Sequence, residues 1–139
     1  MKNTKRRGSQ YEAAFVTQAL KRGLDILEPY GDYMPDLMVQ NVDKRIQRVQ
    51  VKGTSSQIKN KPGYKVIAAS GNATKTPINP EDVDVLAAYV EPEDCWYLIP
   101  VVKLTGNVSV YLNPNSKVNG RYEVWKEAWN VFHNGGTTG

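Results

Sequence analysis

Residues Pro35 to Gly53 read PDLMVQNVDKRIQRVQVKG. Leu37-Met38-Val39 is apolar and suits a strand, and Asn41 to Lys44 is turn-forming. Arg45 to Lys52 then alternates, with Ile46, Arg48, Gln50 and Lys52 on one side and Gln47, Val49 and Val51 on the other. The stretch therefore predicts an antiparallel hairpin in which Val51 points into the core. In such a hairpin the start of the first strand lies beside the end of the second. Asp36 thus meets Gln50 and Lys52 at the open end, an arrangement that folding alone does not require.

The surrounding sequence sets the scale. With 139 residues, 40% hydrophobic and 23% charged, the chain suits one folded domain over 1–139 with a single core. No apolar run approaches the ~20 residues of a membrane span, and the polar start MKNTKRRGSQ has no secretory apolar segment. Cys95 is the only cysteine, which rules out an intrachain disulfide and a four-cysteine zinc site. A reducing, intracellular and cytoplasmic setting is expected. Net charge is +4, and its distribution matters more than its size. Lys2, Lys5, Arg6 and Arg7 precede the first helix, Lys44, Arg45 and Arg48 lie in the hairpin, and Lys59, Lys61 and Lys65 follow it, whereas acids gather between Glu81 and Asp94. This clustering favours a polyanionic partner.

A helix is expected from Ser9 to about Arg22, with Ala13, Val16 and Leu20 on one face, Phe15 and Ala19 beside it, and Gly23 as its stop. Leu24 to Glu28 reads as a strand and Pro29 to Asp32 as a turn. Gly53 to Gly63 is a polar, lysine-rich loop, Tyr64 to Ser70 a strand, and Gly71 to Pro80 a loop in which Asn79 caps a single turn. Val83 to Val90 and Cys95 to Val102 form a second hairpin closed by Glu91 to Asp94. Val108 to Leu112 is a short strand, Tyr122 to Phe132 a terminal helix, and 134–139 a mobile tail. Residues 1–8 form a basic leader. No internal repeat or linker interrupts this α/β order.

The hairpin's open end has the composition of a hard-cation site. Mg²⁺ takes oxygen ligands and keeps several waters, so one or two carboxylates and neutral oxygens suffice. Asp36 offers a carboxylate, Gln50 an amide oxygen and Val51 a main-chain carbonyl. Glu12 on the first helix is a second carboxylate. Lys52 is placed to stabilise a hydroxide or the charge growing on a phosphoryl group, and beside buried acids it acts as an ammonium ion rather than a base. Each part has a plainer reading. Ser9-Gln10-Tyr11-Glu12 matches a capping box, Asp36 after Pro35 matches turn chemistry, and Gln50 and Lys52 match a solvated strand face. His133 and Cys95 read as a surface residue and a strand filler, and the three tryptophans as core. Asp84, an acid opening an apolar strand, reads as a cap to the turn before it.

Taken together, helical Glu12, then Pro35-Asp36, then Gln50-Val51-Lys52 resemble the PD-(D/E)XK nuclease superfamily. That resemblance implies a restriction-endonuclease-like αβββ core with a mixed central sheet flanked by helices. Gln50 stands where the superfamily usually has Asp or Glu, leaving two site carboxylates rather than three. GSQYEAAFVTQALKRG, the Pro29-Tyr30-Gly31-Asp32 turn, RVQVKG and DVDVLAAYV with CWYLIPV are similar to the small PD-(D/E)XK homing endonucleases of group I introns. Archaeal-type Holliday junction resolvases share the first half.

The resemblance implies metal-dependent phosphodiester hydrolysis with Glu12, Asp36, Gln50 and Lys52 as catalytic residues and Mg²⁺, or Mn²⁺ in its place, on Asp36, Glu12, Gln50 and Val51. The substrate implied is double-stranded DNA, gripped by Lys5, Arg6, Arg7, Ser9, Arg48, Thr54, Ser55, Lys59, Lys61 and Lys75, with no membrane and no small-molecule cofactor. A homotetramer is implied by the intron enzymes, and a dimer cutting four-way junctions by the resolvases. A restriction-type enzyme and a catalytically silent DNA-binding domain of the same fold stand as alternatives.

Overall fold

The structure is a computed structural model, describing residues 2–31, 35–70, 76–116 and 120–133. The mobile tail expected over 134–139 lies outside these residues, as does Lys75.

Helix α1 (Lys2–Lys21) is followed by strands β1 (Asp25–Leu27), β2 (Leu37–Gln40), β3 (Ile46–Thr54), β4 (Tyr64–Ile67), β5 (Ala69–Ser70), β6 (Thr76–Pro77), β7 (Val85–Val90), β8 (Cys95–Pro100) and β9 (Ser109–Leu112). The central sheet has the order β1-β2-β3-β7-β8. Only β3 and β7 run parallel, so the sheet is mixed as expected. Strands β4 and β9 form a separate two-stranded ribbon, and β5 and β6 another.

Alternation along the central strands builds two cores. Val49, Val51, Val85, Ala87 and Leu98 face α1, where Tyr11, Phe15 and Ala19 form the buried stripe together with Trp96, Trp129 and Phe132. Leu86, Ala88, Val90, Tyr97 and Ile99 face the inner side of the β4–β9 ribbon, packing on Tyr64, Val66, Val110 and Leu112. The sheet is thus sandwiched between a helix layer and a ribbon layer, each supplying the apolar cover that a five-stranded sheet needs.

Asn41 explains why the central hairpin turns where it does. Its Oδ1 accepts the N–H groups of Asp43 and Arg45 at 2.9 and 3.0 Å, and its Nδ2 donates to the Phe132 carbonyl at 2.9 Å. The turn is therefore closed locally and anchored to the far end of the chain.

Three expectations are corrected. The helix begins at Lys2 rather than Ser9, so the basic leader forms its first turns. Gly8 does not stop it, because one interior glycine costs only about 1 kcal/mol and no proline interrupts the segment. The buried stripe is rotated from the expected Ala13, Val16, Leu20 face onto Tyr11, Phe15 and Ala19, leaving Leu20 exposed. The helix does end at Gly23 (φ 78°), where Leu24 N–H reaches the Ala19 carbonyl and Gly23 N–H the Leu20 carbonyl, the paired bonds of a Schellman stop.

The terminal segment is the third. In place of one helix it forms two short 3₁₀ turns, Glu123–Trp125 and Trp129–Phe132. Between them Lys126 is extended and bridges to Tyr97, and Glu127 exchanges bonds with the Trp96 backbone through both its own N–H and its carboxylate. Those bonds satisfy the outer edge of β8, and a continuous helix could not make them.

Candidate functional site

The register Leu37↔Val49 carries Asp36 to the position opposite Gln50, just before β2 begins. With no further β2 residue to pair there, Val51 N–H donates to Asp36 Oδ2 at 3.0 Å. The N–H and C=O of one strand residue point to the same edge, so the Val51 carbonyl also faces this opening. Gln50 is 5% exposed, and its Oε1 is the buried side-chain polar atom without a hydrogen-bond partner among the described residues. An orphaned buried acceptor costs about 1–3 kcal/mol unless a ligand satisfies it.

Electrostatics tie the remaining residues to this point. Burial raises the Asp36 carboxyl above its usual range, opposed by the Val51 N–H, the Lys52 charge and the Gln50 amide. Glu12 is raised by burial and by repulsion from Asp36 and Glu28, opposed by Lys52. Helix α1 therefore brings Glu12 into the field of the same acid and the same lysine. The capping reading of Glu12 falls away, because Ser9 lies inside the helix rather than at its start.

Glu28 is an acid that the motif did not single out. It is exposed at the end of β1 and, by the Leu27↔Met38 register, lies opposite Leu37, next to Asp36. The expected strand from Leu24 to Glu28 carried that signal, but not its pairing partner.

The Asp36 and Glu12 carboxylates, the Gln50 amide oxygen and the Val51 carbonyl are all oxygen donors, the ligand type a hard divalent cation takes. No group of three or more His, Cys, Asp or Glu able to hold a metal occurs among the described residues.

The proposed ligand-gripping residues divide by position. Arg6, Arg7 and Ser9 are exposed on α1; the side chain of Lys5 lies outside the described residues. Thr54 and Ser55 are half-buried just beyond Lys52, and Lys59 and Lys61 are exposed on a loop closed by the Ile58 N–H to Gly63 carbonyl bond.

Arg48 departs from expectation. Its Nε and Nη2 donate to Asp84 at 3.0 and 2.9 Å, its Nη1 to the Glu81 carbonyl and its Nη2 also to the Pro80 carbonyl. The guanidinium fastens β3 to the entry of β7 while staying about a third exposed. Asp84, expected as a turn cap, is the partner in that clamp.

Comparison with known proteins agrees with the fold. The sequence model of a family described as PD-(D/E)XK endonuclease matches residues 2–132. A solved structure titled as a bacterial homing endonuclease, I-Ssp6803I, is similar with a TM-score of 0.78 and 28% identity, covering 96% of this chain and 94% of that one. A second, titled MepB, has a TM-score of 0.44 and 16% identity over 77% of this chain and 81% of that one, too loose a likeness to carry an argument. No curated protein sequence matches. No described helix is long and apolar enough to cross a membrane.

Proposed function

Since this chain belongs to the PD-(D/E)XK endonuclease family, we propose that it is a divalent-metal-dependent endonuclease that hydrolyses phosphodiester bonds in double-stranded DNA. The homing type is the reading best supported, because the similar bacterial homing endonuclease is matched over nearly its whole length. A homo-oligomer is part of the proposal, the tetramer before the dimer, since 139 residues offer a small contact surface for a long DNA site. The observation that carries the reading is Gln50 Oε1, buried and unpartnered beside an Asp36 carboxyl that burial holds above its usual range.

Asp36, Glu12, Gln50 Oε1 and the Val51 carbonyl would hold Mg²⁺ or Mn²⁺. The ion supplies Lewis-acid polarisation of the phosphate and lowers the pKa of water. The chain's own residues do the rest. Val51 N–H fixes one Asp36 oxygen, which orients the other. Glu12, whose carboxyl is raised by burial and by neighbouring acids, assists as the second carboxylate of the site. The Lys52 ammonium balances the two acids at rest and the phosphoryl charge in the transition state. Lys5, Arg6, Arg7 and Ser9 on α1, Thr54, Ser55, Lys59 and Lys61 beyond the site, and Lys75 grip the DNA backbone. Arg48 acts by fixing β3 against β7.

The test is cleavage of supercoiled plasmid with and without Mg²⁺, alongside linear duplex and four-way junction substrates. Asp36→Ala and Lys52→Ala should abolish cutting by more than about a hundredfold while leaving DNA binding measurable. Metal-dependent cutting retained in both variants would sink the assignment, and cutting confined to junctions would move it to the resolvase class.

A further inference from the structure

The β4–β9 ribbon has one face in the core and one face that no described residue buries. Tyr64, Val66, Val110 and Leu112 point inward, while Lys65 and Tyr111, a cross-strand pair, and Ile67 with Ser109, the next pair, point out. Tyr111 is 64% exposed on this face. The Lys65–Tyr111 end of this face borders a cavity of about 720 Å³ whose walls also include Lys59, Lys61 and Thr54. The acid on its rim, Glu123, is turned inward, accepting the Tyr97 hydroxyl and the Asn113 N–H. Among its described lining residues the groove therefore presents three lysines against one carboxylate.

We propose that this ribbon lies in the DNA major groove and reads base sequence through Lys65, Ile67, Ser109 and Tyr111, with Lys59 and Lys61 on the flanking phosphates. The proposal rests on the nuclease reading above and deepens it. A two-stranded ribbon is one of the two elements that the ~12 Å major groove admits. Its chemistry suits base edges: lysine donates to guanine O6 and N7, an aliphatic side chain packs on the thymine methyl, and serine pairs with either kind of edge. A four-residue strand spans roughly 13 Å. At ~3.4 Å per base pair the ribbon covers about four pairs. Thr54 lines the same cavity two residues after Lys52, a separation of about 7 Å along the strand. The tract read therefore adjoins the bond that is cut.

The experiment selects bound duplexes from a randomised library, using the full chain with Ca²⁺ in place of Mg²⁺, for the wild type, Lys65→Ala, Ile67→Ala and Tyr111→Ala. Plasmid cleavage and circular dichroism are run beside it. The expected result is a wild-type motif in which all three variants relax one shared block of about four base pairs, each losing roughly 5- to 150-fold in discrimination there. An unchanged motif in folded variants, or a uniform loss of affinity with a shallower salt dependence, assigns these residues to phosphate contact and overturns base reading. Cleavage without any enriched motif overturns it as well and leaves the nuclease intact. A wild type that neither binds the library nor cuts plasmid overturns both readings.

Discussion

The ring of Tyr11 lies against Gly53 so closely that a Cβ on the glycine would fall 2.6 Å from Tyr11 Cδ2. Tyr11 precedes Glu12, and Gly53 follows Lys52. The contact therefore sets the spacing between the helix that carries one site residue and the strand that carries another. Burial and the hydrogen bond to Glu91 push the Tyr11 hydroxyl up to about 12, so it stays protonated and holds that bond at 2.8 Å across the working pH range.

Gly53→Ala should force the helix outward. Overpacking of this kind costs about 1–3 kcal/mol. The larger effect falls on function, because a displacement near 1 Å can reduce a rate by ~10²-fold. Thermal melts and plasmid nicking measure the two separately. Adding Tyr11→Leu, which removes the ring atoms in conflict, should recover part of the nicking rate. Full activity in Gly53→Ala alone would show that this spacing does not matter to the chemistry.

Asp36 and Glu12 are both raised above their ordinary values, by burial first. A carboxyl raised on folding contributes stability that is complete below its unfolded pKa of about 4 and is lost as pH rises through the folded value. Asp36→Asn should therefore raise the melting temperature of the metal-free protein at pH 7.5 and give no gain near pH 3. Mg²⁺ at ten times its dissociation constant should stabilise the wild type by about 1.4 kcal/mol and the variant scarcely at all. Melts at two pH values, with and without metal, decide it.

How far these features can be read from sequence depends on the range of the interactions that make them. The hairpin was legible because period-two alternation and the Asn41 turn are local, and its register then put Asp36 beside Gln50. The helix stop at Gly23 was legible for the same reason. The helix start was not, since Ser9 to Glu12 has the local pattern of a cap, whereas the helix extends through Gly8 without one. The terminal segment has helical periodicity, but the bonds of Lys126 and Glu127 to β8 prevail over it. The pairing of β4 with β9 and of Arg48 with Asp84 joins residues dozens of positions apart, and no local pattern encodes either. Gln50 was visible as a residue, but its burial was not.

Asp84 shows the opposite pH behaviour to Asp36. Burial acts to raise its carboxyl, but the Arg48 side-chain bonds, the Arg48 N–H and the Arg48 charge together hold it below the usual range. A lowered carboxyl contributes stability that is present above about pH 4 and is lost as pH falls through the folded value. Both partners are about a third exposed, so solvent screens the pair and Asp84→Asn should cost only about 1 kcal/mol at pH 7. The difference from wild type should close by pH 2. A constant difference from pH 7 to pH 2 would trace the loss to packing rather than to charge.

Gln50 allows the site to be tested in two opposite directions. Gln50→Leu replaces the orphaned oxygen with an apolar group of similar size, so the metal-free protein should be as stable as wild type or more so. Its response to Mg²⁺ should weaken at least about tenfold in apparent affinity, because a neutral oxygen ligand is gone. Gln50→Glu puts a third carboxylate at a 5% exposed position beside Asp36. Two such groups cannot both ionise cheaply, so the metal-free variant should lose stability as pH rises from 4 to 8. Metal neutralises that repulsion, so Mg²⁺ should now bind more tightly than in wild type, by about tenfold or more. Calorimetric titration and metal-dependent melting read both changes. If the leucine and glutamate variants respond to Mg²⁺ alike, Gln50 Oε1 is not a ligand and the donor set must be redrawn without it.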